Sequence, residues 1–162
     1  MNGRDPFPEL VMRPVTMDDA EDVVRMYRRL SAQDLFFRFS TLMPDPGPLV
    51  LRHLQLVDRA DHGGLIVLDG DEAIGVAQWD RLRDDRDSAE ISIVIDERWQ
   101  HRGLGRALTR AAAGDARRHA VGSLVANVLS ANGAAKGLAI DQEPASVERD
   151  GTETRYSYRL AS

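Results

Sequence analysis

The chain of 162 residues is 43% hydrophobic and 29% charged, the composition of one globular domain around a single core. Its 26 acidic against 21 basic residues leave a net charge of −5, which argues against a nucleic-acid-binding surface, and no apolar run approaches the ~20 residues of a membrane span. The absence of cysteine excludes disulfides, thiolate metal sites and a thiol nucleophile, and without an apolar segment at the N-terminus a cytoplasmic protein is expected.

Residues 1–9 read as an N-terminal extension and 10–162 as the domain. Residues 11–15 form an edge strand, because Pro14 has no amide for a ladder. Thr16 and Asp19 make a capping box, and Ala20, Val23, Val24, Tyr27 and Leu30 follow at helical spacing. Ser31 and Asp34 repeat that signature and open a short second helix over 35–39. A proline-rich break at 44–48 launches a helix to about Val57, with Leu49, His53, Leu54 and Val57 on one side. Residues 64–68 and 72–80 then form a hairpin about Asp69 and Gly70, with Gly75 marking a bulge. The charged stretch 81–87 is a solvated turn.

The run Ser-Ala-Glu-Ile-Ser-Ile-Val-Ile at 88–95 is a β-branched strand, and its alternation sets Glu90, Ser92 and Val94 opposite Ala89, Ile91, Ile93 and Ile95. Gln100, His101, Arg102, Gly103, Leu104, Gly105 and Arg106 follow as a glycine-rich turn opening a helix with Leu104, Ala107, Leu108, Ala111 and Ala112 on its inner face. Such a turn is a phosphate cradle: glycine admits close approach, and the first helical amides have no partner within the helix. Arg102 and Arg106 add positive charge. A dinucleotide fingerprint is ruled out because Leu108 stands where the third glycine would be, and a Walker loop because the single lysine, Lys136, precedes Gly137. Residues 123–129 form the next strand, Asn132 caps a helix, and 144–160 fold as a hairpin about Asp150 and Gly151, with Tyr156, Tyr158 and Leu160 on one face.

Gln100, Gly103 and Gly105, placed between a strand and a long helix, resemble the pyrophosphate loop of the GNAT acyltransferase superfamily. The segment Leu30-Ser-Ala-Gln-Asp-Leu-Phe-Phe-Arg-Phe39 is similar to one in bacterial protein-lysine acetyltransferase domains, and 127–140 resembles the family segment in which a strand ends before an asparagine and a helix. The resemblance implies an α/β (α+β) GNAT fold, a mixed central sheet of six to seven strands flanked by helices. It also implies acetyl-CoA as acyl donor and an amine acceptor, small molecule or protein lysine, while a homodimer stays open. Backbone groups of Ile93, Val94 and Ile95 would pair with pantetheine, residues 100–106 would hold the pyrophosphate, and Asn132 would touch the CoA arm.

An amine must lose a proton before it attacks, and Glu90 is the candidate general base; an ion pair with an arginine on a neighbouring strand is its alternative role. Arg38 and the phenylalanines beside it pack in the core or border the acceptor cleft. No tyrosine follows Asn132 where many relatives protonate the CoA thiolate. His53, His62, His101 and His119 lack metal-ligand spacing, so no metal is expected. The reading of a different class is a noncatalytic acyl-CoA sensor or regulatory module.

Overall fold

The computed structural model describes residues 6–161. Its elements run β1 (Val11–Pro14), a 3₁₀ turn (Met17–Asp19), α1 (Ala20–Arg28), α2 (Ala32–Phe39), α3 (Gly47–Leu56), β2 (His62–Asp69), β3 (Glu72–Arg81) and β4 (Ser88–Ile95). A second 3₁₀ turn (Glu97–Trp99) leads into α4 (Leu104–Arg118), β5 (Ser123–Leu129), α5 (Gly133–Asp141), β6 (Ser146–Asp150) and β7 (Glu153–Arg159). Seven strands form one sheet in the order β1-β2-β3-β4-β5-β7-β6, antiparallel except between β4 and β5. This is the expected mixed sheet and element order.

Local chemistry sets the boundaries. The Thr16 amide donates to Asp19 Oδ2 at 2.9 Å, so the capping box forms, and it opens a 3₁₀ turn before α1. Leu30 lies beyond the end of α1 and is still buried. Ser31 accepts from the Asp34 amide at 3.0 Å, which starts α2 at Ala32 rather than at Leu35. The β2–β3 register shifts between Val67 and Leu68, leaving Ile74 as the extra residue; Gly75 is its neighbour and pairs with Val67.

Sheet alternation separates two cores. Val15, Ile66, Val76 and Val94 face α1 and α3, around Val23, Met26, Tyr27 and Leu54. Val67, Ile74, Ala77, Trp79 and Ile91 face α4, around Leu104, Leu108, Ala112 and Ala116. Phe7, from the stretch expected as an extension, packs on this second core together with Leu10, the first residue of the expected domain; residues 1–5 lie outside the described residues. Trp79 is fully buried and donates to Asp115 Oδ2 at 2.9 Å. A side chain at Gly63 would place its Cβ 2.3 Å from the Trp79 ring, so only glycine fits there. The layer continues with α5 over β5 and β7, where Ala126 and Tyr158 touch both clusters.

Candidate active site

The parallel pairing of β4 with β5 covers only Ser88, Ala89 and Glu90, opposite Ser123, Leu124 and Val125. Past Glu90 the two strands part, because β5 follows β7 while β4 stays on β3. The Asp96 amide donates to Ile74 O and the Leu82 amide to Ser88 O, so in this register the even-numbered residues of β4 turn their backbone groups to β3. Ile93 and Ile95 therefore direct theirs into the gap, and Val94, expected to do the same, directs its own at Val76. The gap widens into a cleft of about 1130 Å³, lined by β4, β5, α2, α4 and α5. That is at or above the upper end of the ~300–1,000 Å³ common for ligand pockets.

One end of the cleft is the glycine-rich turn. His101 and Gly103 sit in the left-handed region, at φ 62° and 88°, and Gly103 caps α4. Ala107 is the first α4 amide to reach back, to Gly103 O at 3.2 Å, so the helical amides from Leu104 to Arg106 have no partner inside the helix. Unpartnered amides at a helix start have the geometry that can hold an anion. The Gln100 side chain is occupied: its amide donates to Ile95 O at 2.9 Å and to Asp34 Oδ2 at 3.1 Å, fastening the turn to β4 and α2. Arg102 stacks over Trp99 with its guanidinium carbon 4.8 Å from the ring centroid, Arg106 pairs with Asp141 at 2.8 Å, and Leu104 is wholly in the core. Gln100, His101, Gly103, Gly105 and Arg106 line the cleft; the Arg102 and Leu104 side chains do not. Asn132 lines it and also caps α5, its Oδ1 accepting from the Ala135 amide at 3.1 Å.

Glu90 stands at the fork, the last residue of β4 to pair with β5, and opens to the cleft. The protein around its carboxyl displaces bulk water and pushes the pKa above the usual glutamate value. The charge of Arg38 and a hydrogen bond from Asn127 oppose that rise, while Asp80 and Glu153 add to it. Asp80 is the direct β3 partner of Glu90, and His62 Nδ1 and His53 Nε2 approach it at 2.7 and 3.5 Å. Burial works against Asp80 ionising, but hydrogen bonds from the two histidines outweigh it and hold its pKa low. Glu90 thus faces Arg38 and Asp80 rather than an arginine on the adjacent strand.

Polar and charged cleft residues beyond those expected from sequence include Arg110, Asn127, Gln142 and Tyr158. Arg110 follows Arg106 by four residues, a spacing that puts both on one helix face. Tyr158 comes from β7, donates to Ala139 O at 2.7 Å, and has its pKa pushed up to about 12 by burial and the nearby Tyr156. No helix among the described residues is long and apolar enough to cross a membrane, and among them no cluster of metal-ligating side chains occurs.

The model of the family described as acetyltransferase (GNAT) matches residues 21–139. The chain belongs to that family. Among solved structures it is similar to the GNAT domain of Streptomyces lividans PAT, at 28% identity and a TM-score of 0.84, covering 92% of this chain and 89% of that one. An acetyltransferase from Thermus thermophilus is 30% identical with a TM-score of 0.71, over 93% and 97% of the two chains. The yncA protein of Salmonella typhimurium, solved with its cofactor acetyl-CoA, shares the fold at 18% identity and a TM-score of 0.70, over 95% of each chain. The chain is a GNAT acetyltransferase, and the family segments read from its sequence lie along the walls of one cleft.

Proposed function

We propose that the cleft binds acetyl-CoA along the gap between β4 and β5 and that Glu90 serves as general base toward a primary amine entering beside α2. The observation that carries this reading is the fork itself, where a carboxylate of raised pKa marks the point at which two strands part and expose backbone groups. Acetyl-CoA supplies the acetyl group as a thioester, already activated for attack. The α4 amides and the adjoining glycines fit its pyrophosphate, and the groups of Ile93 and Ile95 that face the gap fit the amides of pantetheine. Ile95 O is shared with Gln100, which leaves the Ile93 pair and the Ile95 N–H for the ligand.

Glu90 accepts the proton of the acceptor ammonium so that the neutral amine can attack. Its raised pKa brings it closer to neutrality, which favours proton transfer in both directions. Tyr158 is a poor acid for the departing thiolate, since its hydroxyl is held by Ala139 O and its pKa is about 12. Water in the open cleft completes that step. The segment 30–39 along the α2 wall, which resembles one in protein-lysine acetyltransferase domains, supports a lysine side chain as the acceptor.

Replacing Glu90 with Gln tests the assignment. Amine-dependent thiol release falls by roughly 10²–10⁴-fold, the range for a general base, while calorimetric affinity for acetyl-CoA stays within about twofold. Equal turnover by the variant overturns the role of Glu90, and acetyl-CoA binding without release for any amine overturns acetyl transfer in favour of a sensor.

A further inference from the structure

One rung of the sheet carries three titratable side chains, His62 on β2, Asp80 on β3 and Glu90 on β4. The register sets them on one face, in a row that ends at the cleft. Directly opposed side chains stand with their Cβ atoms ~5 Å apart, and like charges so placed repel. Asp80 and Glu90 are therefore neighbours by register in a pairing unfavourable to folding.

Their partners differ. His62 Nδ1 lies 2.7 Å from Asp80 Oδ1, and His53, in the last turn of α3, brings Nε2 to 3.5 Å from Oδ2, so each oxygen of Asp80 has its own imidazole. All three are half-buried, and none of them lines the cleft. Glu90 is served differently: Arg38 faces it from α2 with Nη2 donated to Gln78 Oε1 at 2.9 Å, Asn127 reaches it from β5, and Glu153 adds negative charge from β7. Of two coupled acids, the one better supplied with donors keeps its charge, and the other becomes the site where a proton is exchanged. The directions agree, with Asp80 held low and Glu90 raised.

We propose that Asp80, kept anionic by His53 and His62, is a positioning residue for the transfer: from the neighbouring strand its charge makes Glu90 a stronger proton acceptor. This rests on Glu90 being the base. Carbon-detected NMR of the side-chain carboxyls tests it without turnover. In the wild type Asp80 stays ionised through the whole range in which Glu90 takes up its proton; an Asp80 that protonates before Glu90, or in step with it, overturns the proposal whatever any variant does. Asp80→Asn keeps an oxygen for His62 and removes the charge, and the Glu90 titration moves to lower pH. In the His53→Ala/His62→Ala double variant the Asp80 titration moves up, toward that of Glu90. A Glu90 that titrates unchanged in Asp80→Asn, or an Asp80 unchanged without its histidines, overturns the role.

The pH dependence of amine-dependent thiol release separates this from the acetyl-transfer reading. In Asp80→Asn the acid limb follows the Glu90 titration downward, so the share of plateau kcat/KM that survives below the wild-type limb rises roughly three- to tenfold, the effect of one charge a few ångströms away in a partly solvated site. The plateau falls, because a weaker base takes the proton less readily. A uniform loss of rate with the limb and the Glu90 titration both in place is the mark of a merely structural Asp80 and overturns the proposal. A Glu90 titration that moves while the limb stays removes Glu90 as the base and leaves the coupling of the two carboxyls standing.

Discussion

Gly105 offers a substitution whose effects on stability and binding have opposite signs. It is helical, in the first turn of α4, and a Cβ there would meet only Leu138 Cδ2, at 3.5 Å, an ordinary contact. Nothing in the fold therefore demands glycine. Gly105→Ala lowers the entropy of the unfolded chain and raises helix propensity, a gain of roughly 0.5–1 kcal/mol in a helix interior and somewhat less in a first turn. At about 2–4 °C per kcal/mol for a domain of this size, the melting temperature rises by roughly 1–3 °C. The same methyl group projects into the cleft at the unpaired α4 amides and holds an anion away from them. Loss of one hydrogen bond to a charged group, about 1.5–3 kcal/mol, weakens CoA binding by roughly 10- to 150-fold. Differential scanning calorimetry and isothermal titration with CoA measure the two quantities on one preparation. A variant that is more stable and binds CoA with unchanged affinity refutes the placement of the phosphates at α4.

Asp96 follows β4 and has a pKa of about 2: the guanidinium of Arg98 holds it down, against the effect of burial, with help from the Arg98 amide and Arg29. A folded pKa below the unfolded ~3.9 means stabilisation present above about pH 4 and lost as pH falls through about 2. Because Arg98 is 58% exposed, screening reduces the nominal ~2.5 kcal/mol to about 1–2 kcal/mol. Urea unfolding of Asp96→Asn should show that deficit at pH 7, shrinking toward pH 2; a deficit that does not change with pH contradicts the argument. Asp115→Ala leaves the buried Trp79 indole N–H without a partner, and chemical denaturation should report a loss of about 1–3 kcal/mol while CoA affinity holds. For Glu90, the acid limb of the wild-type pH–rate profile lies above the ordinary glutamate pKa of ~4.3, because the surrounding protein takes bulk water from its carboxyl. A limb at or below that value removes Glu90 as the titrating base.

Much of this was legible in the chain because local signals agreed with one another. Ser31, Asn132 and the Thr16–Asp19 pair cap their helices as residue type and spacing predict. Period-two alternation placed Glu90 opposite Ile91, and the turn at 100–106 falls at a helix start. What was not legible depends on contacts between distant segments. Gln100 looks like a ligand residue but its amide is held by Asp34, 66 residues away. Arg38 finds Gln78 rather than its own helix end, and Val94 turns from the gap because the β3 register fixes its parity. Tyr158 reaches the cleft only because β7 lies beside β5, a neighbour relation that no local pattern encodes.

An exposed strand edge is usually a hazard, since its free amides and carbonyls can template another chain. This sheet keeps one such edge inside itself, along β4 past Glu90, with α2, α4 and α5 standing around it as guards. A slim amide-bearing arm can slide alongside that edge, whereas a second polypeptide strand with its own side chains meets the helices first. The same arrangement confines the ladder between the two halves of the sheet to three residue pairs, so the core under α4, which takes in Ile91 and Leu124 together, does much of the joining.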